Sequence, residues 1–441
     1  MRYCIIPKTL SVQSIYEHLV KISGVRDIVM YHKVKMLFVT VDDGSVLEQV
    51  RTIGGCRVEP VKAVKTPDSL IPSAVTPPTP KPGVARFTPQ EEEEISGIDI
   101  LKGLTEPPLS GEGVTVAVVD SGILETHELV NRRVVYSETF VGGVADDRIT
   151  FNDGSKGHGT GVAGIIVQLA PDVNIVNMKV VSDSGSGTNE QLIAAINKIV
   201  KMIDEDSEYA PDIVNMSLAV ENDIDKNGPV AIAVKQLLYR GIPVVAAAGN
   251  YGPDDNTITV PALVDYVVAV GSCNIDTLRV SYFSSRGNPN GVPLKPDCCQ
   301  FGEDIIVADT SSNFAVRASS GTSYATPIVT AIFTLWKQLF NVVSTELQGV
   351  EDPTEYTTPE LTPENIIDNI LDHACGKPEG SVMVKDNSYG YGILLGSLIV
   401  ESLRKTIGYS SSNIDDMLTS IMPVMMMGMM IGVMGQMMQR K

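Results

Sequence analysis

The sequence predicts an α/β fold: a parallel sheet flanked by helices, preceded by a small α+β domain of ferredoxin-like layout. Three observations carry this. Residues 114–120, VTVAVVD, run without polar alternation, as a strand buried on both faces of a parallel sheet does. Two segments, GTGVAGIIVQLA from Gly159 and YATPIVTAIFTLWKQLF from Tyr324, have the make-up of helices packed on such a sheet, the first with small residues ahead of apolar ones. The first 65 residues alternate short apolar runs with amphipathic ones.

Taken in order, RYCIIPK, SVQSIYEHLVKI, VRDIVMYHKV, KMLFVTV, SVLEQVRTIGG and CRVEPVKAV read as β-α-β-β-α-β over residues 1–65. Residues 66–97, rich in proline and ending in EEEE, have the composition of an extended linker without a packed core. The main domain is expected over 98–408. Its strand at 114–120 ends on Asp120, at the carboxyl end where open α/β sheets build their sites. NIVNMKVV, IVNMSLA and VVAAAGN follow as further strands or strand ends. The helix from Tyr324 contains Pro327, which requires the proline to fall in the first turn. Residues 409–441 form a methionine-rich apolar tail.

Three segments carry chemistry: VAVVDSG around Asp120, GHGTG around His158 and SGTSYATP around Ser323. A serine hydroxyl is a weak nucleophile at neutral pH. It needs an imidazole to take its proton, and the imidazole needs a carboxylate to fix its tautomer. One of each stands at a strand end or a helix start, and a nucleophile at a helix N-terminus meets the positive end of the macrodipole. Either Asp120 or His158 alone would read as a cap or structural residue; together with Ser323 and the AAAGN at Asn250 they form a set. His127, in the polar ETHEL segment, reads as a loop residue.

The order Asp, His, Ser is that of subtilisin, and the chain resembles the subtilisin-like serine peptidase family through DSG at 120–122, GHGTGVAG at 157–164 and SGTSYATP at 320–327. The likeness covers roughly residues 100–400. It implies an endopeptidase with Asp120, His158 and Ser323 as catalytic residues and Asn250 as the oxyanion donor. Ser217, Leu218 and Ala219 would form the edge strand that pairs with an extended substrate, with Ala247 and Gly249 also lining the cleft. It further implies a cis bond at Val260–Pro261. The N-terminal module resembles the propeptide of this family, which would cap the site as an intramolecular inhibitor and folding template, and the linker would be cut by the enzyme itself. An autonomous accessory domain and a plain spacer are the alternatives for these two segments, and a catalytically dead scaffold is the alternative for the whole.

The sequence also departs from the family. Gly161 stands where many relatives have a second histidine, Ala219 where the edge usually has glycine, and Cys298-Cys299-Gln300-Phe301-Gly302 where Ala-Pro-Gly is usual after KPD. Only Ala170, Pro171 and Asp172 bridge the His158 helix and the next strand, so a calcium-wrapping loop seen in secreted relatives is missing there. No cofactor is expected. Asp223, Asp225 and Asn227 read as an ordinary Asp/Asn/Gly loop or as a weak calcium site, since D-I-D-K-N-G matches half of a calcium loop while Val234 stands at the closing position.

Charge separates the parts. Residues 1–65 carry ten Lys/Arg and six Asp/Glu against totals of 34 and 53, so a positive module faces a strongly negative body, favouring docking. The net charge of −19 argues against nucleic acid as a partner; polypeptide substrates are expected. MRYCIIPKTL shows no secretory signal pattern, and six scattered cysteines suit a reducing compartment, so the expected location is intracellular. From Met417 to Gln439 no residue is charged and ten of the seventeen methionines fall there. That tail reads as a membrane anchor with a Gly428–Gly432 packing motif, as a segment for apolar partners or self-association, or as plain disorder.

Overall fold

A nine-stranded sheet runs through the larger part of the molecule. The computed structural model describes residues 1–66, 88–89, 93, 96–105, 107–130, 132–150, 156–347, 361–377, 384–396 and 398. Most of the linker, the end of the main domain beyond 398 and the methionine-rich tail lie outside the described residues.

In the N-terminal module β1 (Arg2–Pro7), α1 (Val12–Leu19), β2 (Val25–Tyr31), β3 (Met36–Val41), α2 (Gly44–Arg51) and β4 (Cys56–Pro60) follow in the order read from the sequence. The sheet is antiparallel in the order β2-β3-β1-β4. Ser11 and Asp43 cap the helices by accepting from Ser14 N and from Ser45 N and Val46 N, satisfying amides the first turn leaves unpaired. The period of two sorts the strands. Ile5, Leu37, Val39 and Val41 face the module's own helices with Ile15, Leu19 and Val50, whereas Cys4, Ile6, Met36 and Phe38 join the core of the main domain. Both faces are therefore dry, and each large side chain removed from water contributes about 1.5–3 kcal/mol.

The chain continues through β5 (Ala63–Lys65) and, after the linker, α3 (Ile98–Lys102). The main domain then adds β6 (Thr115–Asp120), β7 (Val134–Thr139), α4 (Gly159–Leu169), β8 (Asn174–Lys179), β9 (Ser186–Thr188), α5 (Asn189–Asp204), β10 (Ile213–Met216), β11 (Ala219–Val220) and α6 (Pro229–Leu238). There follow β12 (Val244–Ala247), β13 (Val268–Cys273), β14 (Cys298–Phe301), β15 (Ile305–Ala308), β16 (Val316–Ser319), α7 (Thr322–Leu347), β17 (Cys375–Gly376) and β18 (Ile393–Leu394). The large sheet has the order β17-β18-β14-β13-β12-β10-β6-β8-β7. Every pair is parallel except β17–β18 at one edge.

All six residues of β6 are buried, as the unbroken apolar run requires of a central strand. Val116 and Val118 face the layer of α4 and α7, with Ile165, Ile328 and Trp336. Ala117 and Val119 face α5 and α6, with Ile196 and Val234. β6 has β8 on one side and β10 on the other, so the chain reverses its direction of travel across the sheet there. The crevice outside such a switch point is where a site is expected, and Asp120 stands at its lip.

Candidate active site

Asp120, His158 and Ser323 arrive from three elements: the end of β6, the residue capping α4 and the second residue of α7. All three are fully buried. His158 Nδ1 lies 2.7 Å from Asp120 Oδ1, an oxygen that also accepts from Ser121 N at 2.6 Å. With the proton on Nδ1, Nε2 is left as the basic nitrogen of the ring.

What holds this pair is a second carboxylate, Asp147, a residue outside the three motifs. Its Oδ2 accepts from His158 N at 2.7 Å, Thr160 N at 2.8 Å and Thr160 Oγ1 at 2.9 Å, while Oδ1 accepts from Ser121 Oγ at 2.8 Å. Ser121 Oγ in turn accepts from Gly159 N at 3.0 Å. The network caps the start of α4 and ties it to the residue after Asp120. Burial pushes the Asp147 carboxyl above its ordinary value, and the charge of Asp120 acts in the same direction. Asp147 lies on an irregular stretch eleven residues before His158, where no local pattern marks it.

Glycine is dictated at 159 by space. A Cβ there would lie 2.3 Å from the Gly122 carbonyl oxygen and 3.1 Å from Asp120 Oδ1. Gly249 has a different reason: its φ of +107° is one L side chains rarely adopt, and a Cβ would stand 2.8 Å from Ser285 Oγ.

The serine is seated by contacts around the first turns of α7. Pro327 is the sixth residue of this helix, not in the first turn as the sequence reading required. Lacking an N–H, it releases the Ser323 carbonyl, which accepts from Ser217 Oγ at 3.0 Å instead. Ser217 Oγ accepts from Asn215 Nδ2 at 3.1 Å, and Asn215 Oδ1 accepts from Thr330 Oγ1 at 2.8 Å. Ser217, expected at the cleft edge, thus spends its side chain on the serine helix. Asn250 Oδ1 accepts from Thr322 N at 3.0 Å and Thr322 Oγ1 at 2.9 Å, which leaves Nδ2 as the donor end of the amide. Gly249 N donates to Thr322 Oγ1 at 3.2 Å. Tyr324, next to the serine, has its ring centroid 5.7 Å from that of His158. Its hydroxyl accepts from Arg317, which also donates to the carbonyl of Gly157.

Leu218 is buried, Ala219 opens β11, and Ala247 ends β12. The Val260–Pro261 bond is cis. His127 is a loop residue but buried, with Nδ1 accepting from Leu129 N and Nε2 set 2.9 Å from the Ala315 carbonyl oxygen.

β11 does not stand open. It pairs antiparallel with β5, Ala219 opposite Lys65 and Val220 opposite Val64, and β9 pairs with the other edge of β5. The C-terminal strand of the module is thus the middle strand of a three-stranded ribbon in the cleft. Asn189 N donates to Lys62 O at 2.8 Å and Glu221 N to Ala63 O at 3.1 Å. Ion pairs reinforce the docking: Lys65–Glu221 at 3.1 Å, Lys62–Asp223 at 2.9 Å, Arg57–Asp225 at 2.9 Å, Lys33–Asp204 at 2.8 Å, and Arg2–Glu190. Among the described residues no three Asp, Glu, His or Cys side chains are grouped to hold a metal ion. At the half calcium loop, Lys62 and Arg57 take the carboxylates of Asp223 and Asp225, and Arg57 also donates to the Asn227 carbonyl. The six cysteines are free thiols, and among the described residues no helix is long and apolar enough to cross a membrane.

Residues 111–392 match the subtilase family. The serine protease AprX of Bacillus subtilis is 31% identical over 259 residues, 52% of this chain and 57% of that protein. An intracellular serine protease of Paenibacillus polymyxa is 33% identical over 243 residues, covering 52% and 68%. The chain thus spans little more than half of AprX. The crystal structure of a cold adapted subtilisin-like serine proteinase aligns with a TM-score of 0.49 at 27% identity, covering 68% of this chain and 97% of that one. The match over well more than half of its residues places this chain in the subtilase family of serine peptidases.

Proposed function

We propose that this protein is a serine endopeptidase in which Asp120, His158 and Ser323 act as a triad, and that its N-terminal module is an intramolecular inhibitor. The observation that carries the reading is the buried Asp120–His158 contact at 2.7 Å, in a fold that puts a buried serine, Ser323, in the first turn of a long helix. Ser323 Oγ attacks the carbonyl carbon of a peptide bond as His158 Nε2 takes its proton. Asp120 holds the ring and stabilises the imidazolium. Asn250 Nδ2 and backbone N–H groups stabilise the oxyanion. The tetrahedral intermediate collapses, the C–N bond breaks, and His158 returns the proton to the leaving amine. Water then hydrolyses the acyl-serine by the same relay, with His158 as base.

An extended polypeptide fits between β9 and β11, because β5 occupies that slot with strand pairing on both edges. While β5 stays there, it excludes other chains. The linker that begins after Thr66 then offers a bond for self-cleavage, and the methionine-rich tail is assigned to an apolar partner or membrane surface. Intact mass over time for the wild type beside Ser323→Ala tests the reading. Cleavage between residues 66 and 97 in the wild type alone supports it. A wild type that neither cuts itself nor reacts with a fluorophosphonate at Ser323 overturns it.

A further inference from the structure

We propose that Glu221 and Asp223 make this cleft selective for extended chains bearing basic side chains, with Asp223 the stronger selector. The inference rests on the peptidase reading and names the substrate class of the same cleft. β5 and the residue before it show how the slot treats successive side chains. Val64 is fully buried in the apolar core that α5 and α6 share with the module. Lys65 reaches Glu221 at 3.1 Å and Lys62 reaches Asp223 at 2.9 Å. The slot therefore holds a basic, small, aliphatic, basic series, Lys62 to Lys65.

The two acids are not equivalent. The Glu221 side chain is 38% exposed, so water screens it when a substrate lacks a cation. Asp223 is 0% exposed. Its Oδ1 receives Lys62 Nζ and Asp225 N, and its Oδ2 is buried without a hydrogen-bond partner. A carboxylate placed this way depends on a cation from whatever strand lies in the slot, because an uncompensated buried charge is far costlier than a surface one. When β5 leaves, the requirement passes to the incoming chain. Arg57 on Asp225, 2.9 Å away, extends the same acidic rim.

The test uses the full-length protein and the rate at which a fluorophosphonate labels Ser323. Lys62→Gln is expected to open the cleft and raise the labelling rate on the order of 100-fold; Lys65→Glu raises it only a few-fold. Adding Asp223→Asn to Lys62→Gln removes the stranded charge and restores slow labelling. Adding Glu221→Lys to Lys65→Glu does the same by exchanging the pair. In the opened Lys62→Gln chain, the peptide Pro-Val-Lys-Ala-Val-Lys-Thr is expected to compete with the probe at least about 10-fold better than its double Lys-to-Glu analogue, and less so in high salt.

Equal competition by the two peptides, or labelling indifferent to all four charge changes, overturns the selectivity alone. Labelling of the wild type accelerated by millimolar calcium, with loss of the Asp223→Asn effect, makes the loop a metal site and also overturns it. Absence of labelling in every variant overturns the peptidase reading and this inference with it.

Discussion

Replacing Gly159 by alanine isolates how closely the start of α4 must approach β6. The added Cβ would stand 2.3 Å from the Gly122 carbonyl oxygen, whereas real Cβ atoms essentially never come within 3.0 Å of a neighbour. The obstacle is backbone, so the shortfall of about 0.7 Å is met by moving the His158 turn away from the strand end that bears Asp120. A misplacement of about 1 Å in a reacting group costs about 100-fold, so the variant should lose between about 10- and 100-fold in the chemical step. Overpacking of this kind also costs about 1–3 kcal/mol of stability. The assay is the dependence of Ser323 labelling on fluorophosphonate concentration. Occupancy of the cleft by β5 changes the apparent probe affinity, whereas displacement of His158 lowers the rate at saturation. A folded Gly159→Ala protein whose saturating rate stays within twofold of wild type would show that this contact does not set the geometry of the pair.

Further outcomes follow from the same contacts. Asp120→Asn leaves the fold intact and removes a charge about 4 Å from the centre of the imidazolium, worth about 4 kcal/mol at an effective dielectric of 20; the saturating labelling rate should fall about 1000-fold with the apparent probe affinity unchanged. Asn250→Ala should lower the turnover of a peptide substrate by 10²- to 10³-fold, the size found for this donor in subtilisin, with little effect on KM. Acid should loosen the module. Arg240 first and Lys33 second hold the Asp204 carboxyl down to about 2. Because that value lies below the ordinary one of 3.8, its stabilising contribution, the larger share made to Arg240 within the main domain and the smaller to Lys33 of the module, is complete above about pH 4 and fades as the pH falls toward 2. Limited proteolysis between pH 5 and 2 should find residues 1–65 increasingly susceptible, and Lys33→Met should show the susceptibility already at pH 5.

The strands and helices around the site were legible because their signals are local. β6 reads from an unbroken apolar run, the module from its alternating periods, and the positions of Asp120, His158 and Ser323 from three motifs that fix what stands on either side of each. Pro327 misled, since a proline inside a helix is tolerable when its freed carbonyl finds another donor, and that donor, Ser217, is more than a hundred residues away in sequence. Asp147 was invisible for a related reason. Its role comes from four donors that converge only after β6 and α4 are packed together, and nothing in a loop sequence announces that.

The half calcium loop shows the same division. Its acids are plain in the sequence, but their partners Lys62 and Arg57 come from the N-terminal module, more than 150 residues away in sequence, so only the packed structure reveals that basic side chains are placed there. The sequence by itself determined the element order of the N-terminal module, the parallel sheet built around β6 and the choice of Asp120, His158 and Ser323 as candidates, because hydrophobic period and short motifs are written in neighbouring residues. The tertiary structure decided which carboxylate braces His158, which hydroxyl donates to the Ser323 carbonyl, and what lies in the cleft, because those contacts join residues from distant parts of the chain.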